Sequence, residues 1–158
     1  MKKIISIVLL LFIFSNLNAY AMDAKIIELR NKIFEESKQI KSLLGNSKDV
    51  VLLTGMFDAC LLTVSQIDAY TYMMGIFNTI KDTEVNEEAF KYLTEWLILM
   101  RTTSSLNIKS FDAVIQPIEP STKPHIGILK DYFTNLNKKI DNELSRFVRI
   151  KTLLKTNR

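Results

Sequence analysis

What this chain has little of sets its first limits. Among its 158 residues there are one cysteine, one histidine, three prolines and four glycines. A lone Cys60 cannot close an intramolecular disulfide, so stability has to come from packing, and its neighbours Phe57, Leu61 and Leu62 predict a small buried thiol. His125 stands alone with no cysteine pair and no Glu-x-x-His spacing, which leaves neither a zinc site nor a di-iron set to compose. It reads instead as an exposed histidine at a helix start. The glycines are too few for a phosphate-cradling loop, and Gly-x-Ser-x-Gly and Cys-x-x-Cys-His are both missing. No catalytic residue, metal or cofactor is therefore expected.

The first residues differ from the rest. Met1-Lys2-Lys3 leads into an apolar run from Ile4 to Phe14, then polar Ser15 and Asn16, then Ala19-Tyr20-Ala21. A basic start, a short apolar stretch and small residues two apart form a cleavable export signal. The run falls short of the about 20 apolar residues that span a bilayer. Residues 1–21 thus read as a signal peptide and 22–158 as one domain, exported to a periplasm or secreted. Loss of Lys2 and Lys3 takes the net charge from +4 to +2, too near neutral to attract nucleic acid.

The remainder predicts an all-α, up-down-up-down bundle of about four long helices. Helix one runs from Asp23, as N-cap, to Leu44, with Gly45 as a left-handed stop; Ile26, Leu29, Ile33, Ile40, Leu43 and Leu44 form its buried stripe. Helix two, from Asp49 to Lys81, is apolar almost all round, with Val50, Leu53, Phe57, Cys60, Val64, Ile67 and Met74 as its main stripe. That pattern predicts a central helix, and close approach of a neighbour would explain Gly55 and Gly75 inside it. Thr54, Asp58, Ser65, Asp68, Tyr72 and Thr79 leave only a thin polar strip, yet a membrane span is not expected, because Asp58 would sit deep in the hydrocarbon and Asp49 and Asp68 bracket an apolar run shorter than a span. Residues 82–86 predict a turn, and Asn86 starts helix three. The run Thr102-Thr103-Ser104-Ser105 predicts a kink or interruption before Leu106, Ile108, Phe111, Val114 and Ile115 resume the apolar pattern. Pro117, Pro120 and Pro124 mark the one long connection, and helix four runs from Pro124 to Lys155.

Candidate chemistry is thin. Asp58 and Asp68 lie ten residues apart, about 15 Å along a helix, too far to share one bond, and read as solvated carboxylates. Glu35-Glu36 and Glu87-Glu88 read as surface pairs. Residues 138–158 carry seven basic and two acidic side chains, a charge excess that suits a helix C-terminus and offers weak electrostatic contact. The leading expectation is an exported, non-enzymatic binding or accessory protein with a protein partner, not an integral membrane protein. The alternative is a bundle holding an apolar ligand between Met56, Met73, Met74, Trp96 and Met100, or a haem on His125 and Met56.

Overall fold

The computed structural model describes residues 24–79, 83–114 and 117–156. The signal segment, the Asp23 cap and the expected burial of Ile80, Ile115, Ile150 and Leu154 lie outside the described residues and side chains. Four helices, α1 (Ala24–Leu43), α2 (Val50–Phe77), α3 (Thr83–Asp112) and α4 (Lys123–Thr156), make up the fold, with no strand among the described residues. It is an all-α helical bundle.

Interhelical contacts show why the helices lie as they do. Arg30 meets Asp68 while Lys41 sits over the Phe57 ring, so residue numbers rise along α1 as they fall along α2. Gln66–Thr103 and Phe77–Phe90 do the same for α2 and α3, and Lys130–Asp112 and Arg101–Asp141 for α3 and α4. The fourth helix closes on the first. Apolar residues at three- and four-residue spacing fill the space between: Ile26, Ile33 and Ile40 from α1, Leu53, Met56, Cys60 and Ile67 from α2, Leu93, Leu97 and Met100 from α3, and Leu129, Phe133, Leu136 and Ile140 from α4. Each such buried side chain contributes roughly 1.5–3 kcal/mol relative to leaving it in water.

Several expectations need correction. Gly45 does not take the left-handed conformation; α1 ends in tight turns in which the Leu44 and Asn46 amides donate to the carbonyls of Lys41 and Leu43. Residue 83 is already helical, so the turn expected over residues 82–86 is shorter. α2 ends at Phe77, not Lys81, and is not central: like its neighbours it occupies one corner, with one long side in solvent. Val50 and Leu106, expected in the core, are exposed.

The hydroxyl run does not interrupt α3, which continues through it. Thr103 Oγ1 accepts from Gln66 Nε2 of α2, Ser104 Oγ donates to the Phe133 carbonyl of α4, and Ser105 Oγ accepts from Asn137 Nδ2. Residues that weaken an isolated helix act here as short bridges to both neighbours, where a longer side chain would hold the helices apart.

The proline connection packs against the residues that lead into α2. Asp49 precedes α2 but makes no capping bond; its carboxylate accepts the Glu119 amide at 2.8 Å. Glu119 returns the contact, accepting from the Ser47 hydroxyl and the Lys48 amide. The two loops at this end are thereby clasped.

Candidate functional site

The most distinctive feature is a face. Along the outer side of α2, Gly55, Leu62, Ala69 and Ile76 recur every seventh residue, and along α3 Tyr92, Leu99 and Leu106 do so. Every one of them but half-buried Ala69 is exposed, and Val51 and Tyr72 beside them are exposed to 87% and 72%. Leu53, Met56, Cys60 and Ile67 take the opposite side of α2 into the core, so the helix has two apolar sides and only one is covered. By length and composition alone α2 is long and apolar enough to cross a membrane, which corrects the expectation that its apolar run is shorter than a span. The sequence reading assigned its apolar breadth to burial on several sides. Spacing alone does not separate the outer row from the core, since buried Leu53, Cys60, Ile67 and Met74 also recur every seventh residue.

The glycines belong to this picture. A Cβ built at Gly55 or Gly75 meets nothing within 4 Å, so no helix among the described residues approaches them closely. That expectation is overturned, and both positions are open to solvent.

A second cluster lies between α1 and α4. Glu36, read as a surface acid, is 4% exposed, and His125, read as an exposed histidine, is 14% exposed; Nδ1 of His125 lies 2.5 Å from Oε1 of Glu36. Helical rotation explains the difference between neighbours: Glu35 points outward and pairs with Lys38, whereas Glu36 turns toward α4. Cys60 is wholly buried, as expected, and desolvation together with the nearby Glu36 charge pushes its thiol up to about 12. A thiol so held is protonated at neutral pH and is no nucleophile. Outside this cluster lies a shallow polar groove bordered by Glu28, Lys32, Gln39 and Tyr132, in which Lys32 already pairs with Glu28.

The remaining sequence candidates are dispersed. Asp58 is exposed and Asp68 forms a two-pronged ion pair with Arg30, at 2.9 and 2.7 Å, which raises the Arg30 pKa. Met56, Met74 and Met100 are buried, Met73 and Trp96 half-buried, and the Trp96 indole donates to the Gln66 carbonyl. His125 is engaged by Glu36 and not by a methionine. No three His, Cys, Asp or Glu side chains gather as a metal site among the described residues. On α4, Lys138 and Arg149 are exposed while Arg146 turns inward to Glu143. Comparison with known proteins adds nothing to this geometry: no family model, curated protein or solved structure matches the chain.

Proposed function

We propose that this chain is an exported, non-enzymatic interaction protein: an up-down-up-down bundle, released from its signal peptide after Ala21, that engages a protein partner through the outer face of α2 and α3. The observation that carries the reading is that face, where Leu62, Ile76, Tyr92, Leu99 and Leu106 remain exposed along two adjacent helices. Large contiguous apolar patches on soluble proteins mark binding surfaces. The disposition of the titratable groups supports it: Glu36, His125, Asp49 and Glu119 tie helices and loops together. The basic residues of α4 add weak electrostatic contact at most, since one of the inner ones, Arg146, is spent on Glu143.

A photo-crosslinking residue placed at Leu99, with Asp131 on the far side of the bundle as control, tests the reading in an exporting host. Adducts specific to position 99 are expected, on a chain whose N-terminus begins at Met22. Equal yields at both positions, or retention of residues 1–21, count against it.

A further inference from the structure

The two apolar rows are matched in height. Gln66–Thr103 and Phe77–Phe90 set the register of the antiparallel helices, and in that register Ile76 is level with Tyr92, Ala69 with Leu99 and Leu62 with Leu106. Three rungs therefore climb the groove between α2 and α3. At the lower end of this ladder Asp58 on α2 is level with Lys109 on α3. Both are exposed, and neither makes an ion pair among the described residues.

We infer that the occupant of this face is a second copy of the chain, related by a two-fold axis running along the α2–α3 groove; the inference rests on the reading of the face as a protein-binding surface. Such an axis leaves heights unchanged and exchanges left for right, so α2 of one copy lies over α3 of the other. Leu62 then meets the second copy's Leu106 and Ile76 its Tyr92. Asp58 meets the second copy's Lys109, twice over, which gives both unpaired charges an opposite partner without any further residue. A two-fold contact of this kind needs one self-complementary patch, and this face supplies it.

Size agrees. The exposed parts of the rungs, with Val51 and Tyr72, amount to roughly 700 Å², more than the largest apolar patch of most monomers and near the ~800 Å² that each partner brings to a stable interface. Gly55 extends the α2 row beyond Leu62, and with nothing among the described residues near its Cβ position it leaves room for a facing helix to come close. A bilayer fits less well, because Asp58, Glu95 and Lys109 stand beside the apolar rungs and sinking the face into hydrocarbon would desolvate all three.

Sedimentation equilibrium of the protein recovered from an exporting host tests the inference. A dimer is expected at micromolar concentration, with Leu99→Glu monomeric and its helical circular dichroism unchanged. Asp58→Lys and Lys109→Asp each weaken association about tenfold, and combining them restores it, since the exchanged charges meet again. A wild-type monomer at every concentration overturns the second copy; if position 99 still crosslinks to another protein, the interaction reading stands without it. Monomers that instead float with phosphatidylglycerol vesicles, and lose this with Leu99→Glu, overturn it in favour of lipid. A dimer untouched by Leu99→Glu and by both charge changes places the contact elsewhere and also overturns it.

Discussion

His125, on the first turn of α4, holds Glu36 of α1 across a 2.5 Å contact in which Nδ1 faces Oε1, and both side chains are largely withdrawn from water. A carboxylate that deep is tolerable only beside a group that donates to it. The pair joins residues 89 apart in sequence and closes the ring of helices where the last meets the first.

Removing one member should therefore be worse than removing both. His125→Ala leaves the Glu36 carboxylate buried without this donor and is expected to lower the unfolding free energy by about 3 kcal/mol in urea titrations. The double variant His125→Leu with Glu36→Leu recovers most of that loss. Equal losses in the single and double variants would show that the pair has no special weight.

Alkaline stability follows from two buried acids. Burial, reinforced by Glu36, raises the Cys60 thiol from its ordinary 9.0 to about 12, and burial raises Tyr70 too, with Glu143 adding to the effect and Arg146 opposing it. The folded chain keeps protons that the unfolded chain releases, so stability falls with rising pH. The contribution is whole below about pH 9 and is lost as pH climbs toward about 12. Cys60→Ala is expected to flatten the first part of that decline. At pH 8 a thiol reagent should label Cys60 only after urea unfolding, and rapid labelling of the folded chain would contradict the burial.

Gly75 is an exposed residue in the last turn of α2 whose missing Cβ would touch nothing among the described residues. Gly75→Ala is expected to stabilise the bundle by about 0.5–1 kcal/mol through helix propensity alone, seen as a higher thermal midpoint. A drop in the midpoint would mean that some contact needs the glycine.

Opening the loop clasp should have a local signature. Asp49→Ala removes the acceptor for the Glu119 amide and is expected to cost about 1–2 kcal/mol. Hydrogen exchange should quicken at Glu119 and Thr122 and remain slow in the middle of α2. Asp49→Ser, a good capping residue, is not expected to restore the loss, because the native carboxylate does not cap the helix.

Much of the architecture was legible before any coordinates. The stripe of Ile26, Leu29, Ile33 and Ile40, the buried Cys60 and the proline connection all appear where their spacing or chemistry placed them. The candidate face was not, because Leu62, Leu99 and Leu106 look no different from core leucines when only their hydrophobicity is read. The hydroxyl run misled for the opposite reason: propensity judged Ser104 and Ser105 as parts of a lone helix, whereas Phe133 and Asn137 supply their partners.

Helix number, approximate ends and the inward side of each helix belong to the amino-acid sequence, since periodic apolar residues act over a few turns of one segment. The environments of Glu36, His125, Ser104 and Leu99 were decided only when the helices packed. Each depends on which neighbour stands beside it, and Leu99 stays 47% exposed because no other described helix covers it. A side chain's burial is a property of the space between helices, and local spacing carries no record of that space.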